Sequence, residues 1–136
     1  MTTSRTRTIA LALAAGLLCV VPSFARKNAK TWQAIGSLLE RAPDSARSRP
    51  NPYAGDADAF LAGQKLFRRH CAACHGENAS GTAWAPSLHS TRILKTPPGA
   101  LAWFLKNGDL GAGMPSWSQM PEQRRWQIVT YLQAKP

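Results

Sequence analysis

Five consecutive residues, Cys71-Ala72-Ala73-Cys74-His75, constrain everything else in this 136-residue chain. Two thiols three positions apart, followed at once by an imidazole, form the attachment pattern of a c-type haem. Each thiol can add across one vinyl group of the porphyrin. The adjacent imidazole then lies under the iron as its proximal ligand. Three other chemistries use a Cys-x-x-Cys. A zinc site wants four protein ligands, commonly a second Cys or His pair, and no second Cys pair exists here. A thioredoxin-like redox pair wants a strand before it and a helix after it. Here a helical pattern precedes the pair and Gly76 follows it. A local disulfide between Cys71 and Cys74 remains a smaller alternative. The motif reading is one covalent haem c.

Cysteine usage and the amino terminus agree with that reading. Arg5 and Arg7 are followed by an apolar run from Ile9 to Val21, short for a bilayer span, and then by Ser23-Phe24-Ala25. This is the pattern of a secretory signal over residues 1–25, cut after Ala25. An uncleaved membrane anchor is the competing reading. Of the three cysteines, Cys19 leaves with the signal, and Leu18 before it is not the small residue a lipidation site prefers. Cys71 and Cys74 are then both taken by the haem, and no disulfide is left to build. The expected compartment is the periplasm, with no stable membrane insertion once the signal is cut.

The formal net charge is +10. A basic surface speeds encounter with an acidic partner in a salt-dependent way. Nucleic acid is the other common partner of basic chains. Export argues against it, and no nucleic-acid-binding motif is present.

Taken in order, the chain continues with the basic stretch Arg26 to Lys30. Trp32, Ile35, Leu38 and Leu39 then recur at helical spacing. The simplest use of that face is docking on the rest of the protein. A partner or a membrane surface is the alternative. Pro43, Pro50, Pro52 and Gly55 give residues 43–55 the character of an extended linker. Residues 26–50 therefore read as an N-terminal extension and Pro-rich linker, and 51–136 as one domain.

Asp56 or Asp58 can cap a helix running to Cys71, with Phe60, Leu61, Leu66 and Phe67 as its apolar residues. Gly63 inside it costs about 1 kcal/mol against Ala, which suggests that a second helix crosses closely there. Residues 76–98 carry six or more turn formers and read as loop. Leu88 and Ile93 are its apolar points within reach of a haem. A short helix from Leu101 to Lys106, starting near Pro98, should close at Asn107-Gly108. Pro121 opens a last helix with Trp126, Ile128, Val129, Tyr131 and Leu132 on its apolar side. No strand-like alternation of useful length appears. The fold class is all-α, with three to five helices around one covalent haem.

His75 leaves one axial position to fill. Met114, Met120, His70 and His89 are the candidates. Met114 has the most suitable surroundings, with glycines before it and Pro115 after it. A His/Met iron has no vacant place for substrate, so it carries electrons. An open or His-ligated iron would allow peroxide, gas or low-potential chemistry.

At this point the chain resembles a class I c-type cytochrome. The matching residues are Gly63-x-x-x-Phe67, Cys71-Ala72-Ala73-Cys74-His75-Gly76, Ala85-Pro86-Ser87-Leu88, Gly113-Met114-Pro115 and Trp126-x-Ile128-Val129-x-Tyr131-Leu132. The stretch from Asn107 to Trp117 is similar to small bacterial monohaem cytochromes that serve periplasmic dehydrogenases or respiratory chains. The resemblance implies that the first and last helices cross, with Gly63 and Phe67 meeting Ile128 and Tyr131. It implies that the carbonyl of Pro86 accepts from the proximal imidazole. It makes Trp103, Arg92 and Trp117 candidates to bond the haem propionates. The implied protein is a monomer that transfers single electrons between redox partners and is not an enzyme. The alternatives are a haem subunit of a dehydrogenase or oxidase complex, then a haem enzyme or gas sensor.

Overall fold

The carboxylate of Asp56 accepts from the backbone N–H of Ala59 at 2.9 Å, so the first of the two candidate aspartates is the helix cap. The computed structural model describes residues 39–134. Within them α1 covers Asp44–Arg47, α2 Ala57–His70, α3 Ala72–His75, α4 Thr91–Lys95, α5 Pro98–Asn107 and α6 Glu122–Gln133. One 3-10 turn spans Leu110–Ala112. Among the described residues there is no strand, only an isolated bridge between Asp109 and Met114. The all-α expectation holds. The signal over residues 1–25, the basic stretch, and Trp32, Ile35 and Leu38 lie outside the described residues. Leu39, last of that apolar set, is buried in the main core.

The frame is the crossing of α2 and α6. Phe67, Ile128 and Val129 are the largest side chains that are fully buried. A Cβ placed on Gly63 would overlap the carbonyl oxygen of Gln127 and lie 3.1 Å from Tyr131 Cβ. The tolerated glycine is thus explained by the close approach of the two backbones. The Tyr131 ring stacks obliquely on Phe67 at 5.3 Å and on Phe60 at 5.5 Å. Gln127 rather than Ile128 faces the glycine. One residue turns about 100° round a helix, which carries Ile128 into the core instead.

Three local expectations change. The proline-rich stretch is not wholly extended, because α1 forms between Pro43 and Pro50. Pro43 is its N-cap, where a missing N–H costs nothing. The stretch 76–98 is not wholly loop. The Ser90 hydroxyl oxygen accepts from the Ile93 N–H at 3.4 Å, and α4 runs from Thr91 until Pro97 and Pro98 forbid more. Five residues are too few to show a helical period in sequence. Leu61, counted on the apolar side of α2, is exposed. The buried line is Ala59, Gly63 and Phe67, four apart, and Leu61 falls between its members.

Glu122 at the start of α6 pairs with Arg49 at 2.5 Å, and the Arg49 guanidinium lies over the Trp126 ring. The hydrogen bond from Arg49 holds the Glu122 carboxyl below its ordinary range. The Trp126 indole N–H and the charges of Arg49 and Arg125 act in the same direction, against a smaller opposing effect of burial. A carboxyl lowered in the folded state stabilises above its ordinary range, and that stability is lost as pH falls through the lowered value. Both side chains are about half exposed, so the effect is small. Glu122→Gln should flatten this part of the acid limb in a plot of Tm against pH and change little at the acid end.

Candidate haem site

The carboxyl end of α2 delivers the motif. Cys71 leaves helical geometry, and the chain restarts as the single turn α3. His75 closes this turn with its N–H on the Cys71 carbonyl at 2.9 Å. Its Nδ1 lies 3.0 Å from the carbonyl oxygen of Pro86. A carbonyl only accepts, so Nδ1 carries the proton and Nε2 keeps its lone pair. The loop that presents Pro86 is stitched to the motif. Gly81 N–H donates to the His75 carbonyl at 2.8 Å, and Thr82 Oγ1 donates to the Cys74 carbonyl at 2.5 Å. Leu88 N–H donates to the Ala79 carbonyl at 2.8 Å.

Above the motif lies a cavity of about 460 Å³. Its walls are mainly apolar, with Phe67, Leu88, Ile93, Leu101, Phe104 and Ile128 among them. The size falls in the range of about 300–1,000 Å³ typical of small-molecule and cofactor sites. Cys71, Cys74, His75 and Met114 all line it. Met114 is held by a small closed loop after α5. Asp109 and Met114 exchange both backbone hydrogen bonds at 2.9 Å, across the 3-10 turn and the left-handed Gly113. Trp117 N–H reaches the Leu105 carbonyl at 3.0 Å, and the Ser116 hydroxyl reaches the Lys106 carbonyl at 2.6 Å. The loop is therefore closed on itself before Pro115 and tied to α5 just after it.

Of the four candidates for the second axial position, Met114 and His70 line the cavity, whereas Met120 and His89 do not. Met120 packs on the main core, and His89 bonds the Asn78 carbonyl. The His70 ring stands edge-on to Trp117 at 5.3 Å. Trp117 and Arg92 also line the cavity. Trp103 lies outside the lining and packs half-buried against the main core.

The other readings of the cysteine pair fit less well. Burial, with Cys74 beside it, pushes the Cys71 thiol up to about 11. A redox-active pair works through a lowered, thiolate-forming cysteine. Among the described residues, no three His, Cys, Asp or Glu side chains gather as a metal would need. The residues present do fit a haem. Apolar walls suit the porphyrin, two free thiols suit its vinyl groups, and an imidazole with a free Nε2 suits its iron.

One contributor escaped the sequence reading. Arg125 is buried, and its Nη1 donates to the carbonyls of Trp117 at 3.2 Å, Ser118 at 3.3 Å and Met120. It ties the segment after Met114 to α6. The signal was present, since Arg125 stands three and four positions before Ile128 and Val129 on the apolar stripe. Arg125→Met should cost roughly 2–3 kcal/mol, because it strips charged donors from buried carbonyls. Thermal unfolding of the two proteins, followed by far-UV circular dichroism, checks this.

Comparison with known proteins agrees with the geometry. The family described as "Cytochrome C oxidase, cbb3-type, subunit III" matches residues 58–132. The Cbb3-type cytochrome c oxidase subunit FixP of Azorhizobium caulinodans is 33% identical over 91 residues. That match takes in 62% of this chain and 31% of the relative, so the chain spans about a third of that protein's length. Among solved structures, cytochrome CL of the marine methylotroph Methylophaga aminisulfidivorans superposes with a TM-score of 0.54 at 24% identity. The superposition takes in 61% of this chain and 57% of that one, and it supports the fold. More than half of the chain follows the family pattern, attachment motif included, and the chain belongs to the cytochrome c family of cbb3-type oxidase subunit III.

Proposed function

We propose that this chain is an exported monohaem cytochrome c that carries single electrons between protein partners, bound through Cys71 and Cys74 and ligated by His75 and Met114. One observation carries the reading: both thiols, the imidazole with its free Nε2 and the thioether converge on one apolar cavity. When bound, the haem supplies a reversible one-electron change at its iron. The Pro86 carbonyl holds the His75 tautomer and makes Nε2 a better donor. The Met114 sulfur favours Fe(II) and raises the potential relative to a second histidine. With His75 and Met114 both holding the iron, no position would be left for a substrate. Phe67, Leu88 and Ile128, which line the cavity, would keep water from the ring.

Trp84 lines the cavity and is 84% exposed, and Leu110 is 78% exposed. The exposed Trp84 supports an apolar contact at the cavity mouth, and the net positive charge, which falls from +10 to +8 when Arg5 and Arg7 leave with the signal, supports an acidic partner surface. Optical spectra of the oxidised and reduced protein test the reading. The expected result is a red protein whose colour survives extraction of non-covalent haem. It shows the far-red sulfur-to-iron band when oxidised and takes up no carbon monoxide when reduced. Ready uptake of carbon monoxide would remove Met114 as a ligand and point to gas binding or catalysis. A colourless product from a host that matures c-type cytochromes would sink the whole reading.

The relative named as an oxidase subunit favours a second setting, with the same chemistry inside a larger complex. Size exclusion of native extract separates the two. A free carrier elutes at its own mass, and a subunit elutes with the assembly.

A further inference from the structure

Residues 39–49 precede the stretch matched by the family, and the segment reaches the cavity through Leu39. Leu39 is 4% exposed, lines the 460 Å³ cavity and shares the core with Leu101 and Leu105. The segment folds back on itself, with Arg47 Nη1 donating to the Leu39 carbonyl at 3.1 Å. It also sits tightly on α5. A Cβ on Gly99 would overlap the Ala46 carbonyl oxygen and lie 2.9 Å from that of Arg49. Its outer end is pinned by the Arg49–Glu122 pair. Between these anchors Glu40 Oε1 accepts from Arg92 Nη2 at 2.8 Å. Arg92 itself lines the haem cavity and, with Arg47 and Lys95, a neighbouring basic cleft of about 280 Å³.

We propose that residues 39–49 hold Leu39 in the wall of the haem pocket and set its redox potential, Leu39 by excluding water and Glu40 by partly neutralising Arg92 at the cavity edge. The proposal rests on the haem reading above. Leu39 and Glu40 are positioning residues, since both act on the charge balance at the iron rather than through a bond to it. Water beside the ring stabilises the extra charge of Fe(III) more than it stabilises Fe(II). Burial therefore raises the potential. A carboxylate at the edge works the other way, and its pairing with Arg92 cancels part of a positive charge that would favour Fe(II).

The test is a redox titration of the full-length holoprotein and of two variants, Leu39→Ala and Glu40→Gln. The far-red sulfur band and thermal melting are recorded beside it. The midpoint potential should move down in Leu39→Ala and up in Glu40→Gln, with the band retained in both. The Glu40→Gln shift should shrink as salt is added. A purely structural segment would lower Tm in both variants and leave both potentials at the wild-type value, which overturns the proposal. If Leu39→Ala yields no holoprotein, the upward shift in Glu40→Gln decides, because a half-exposed ion pair is not needed for folding. Wild-type protein without covalent haem would instead overturn the functional reading, and this one with it.

Discussion

A Cys71→Ala/Cys74→Ala chain, made in a host that matures c-type cytochromes, is expected to be colourless and largely unfolded. The described domain is small, and domains of this size bury only some 60% of the surface their unfolded chains expose. Its main core surrounds a cavity of about 460 Å³ rather than a solid interior. At about 24 cal/mol per Å³, an empty cavity of that volume corresponds to roughly 11 kcal/mol. Collapse of the walls makes this an upper bound. It is still comparable with the whole stability of a typical domain, about 5–15 kcal/mol. Without the tether, α2, α5 and α6 have nothing to close on where Phe67, Leu101 and Ile128 face the cavity. Far-UV circular dichroism should therefore show little native helix. A variant with wild-type ellipticity and a cooperative melt would show that the packing of α2 on α6 suffices alone.

Gly63→Ala is expected to lower the melting temperature of the holoprotein by about 10 °C. Two effects oppose each other. Alanine is the better helix former by about 1 kcal/mol. Its Cβ, however, would occupy the place of the Gln127 carbonyl oxygen, and the obstacle is backbone that cannot turn aside. Overpacking of this kind typically costs about 1–3 kcal/mol, and more where the neighbour is rigid. A net loss near 2 kcal/mol in a domain of this size corresponds to the stated shift. The strain falls on the same crossing that stacks Phe67 against Tyr131, so both rings should move. Gly63→Leu should yield no stable holoprotein. A melting temperature unchanged or raised in Gly63→Ala would mean that the two backbones are not held this close in solution.

The attachment motif, the crossing at Gly63, a cap at Asp56 or Asp58 and the end of α5 at Gly108 were all legible before any coordinates. Each rests on chemistry confined to a few neighbouring residues: two thiols and an imidazole, a missing Cβ, a capping carboxylate, a backbone at positive φ. Residue type and spacing carry that information unaided. Met114 stood out for the same reason, from its glycines and proline. The sequence could not show that Asp109 and Met114 pair across the turn.

What stayed hidden depends on how the folded backbone brings partners together, some near in the chain and some far. Arg125 looks like a surface charge until the carbonyls of Trp117, Ser118 and Met120 come round to meet it. The proline-rich stretch looks like a free linker until α1 is seen against Gly99, more than fifty positions on. Leu39 looks like one more residue of an amphipathic helix, and its place in the cavity wall depends on Leu101 and Leu105 folding over it. Local bonding preference is written into consecutive residues. The burial of a charge or a leucine is a property of the surfaces that close around it, and those come together only when the chain has folded.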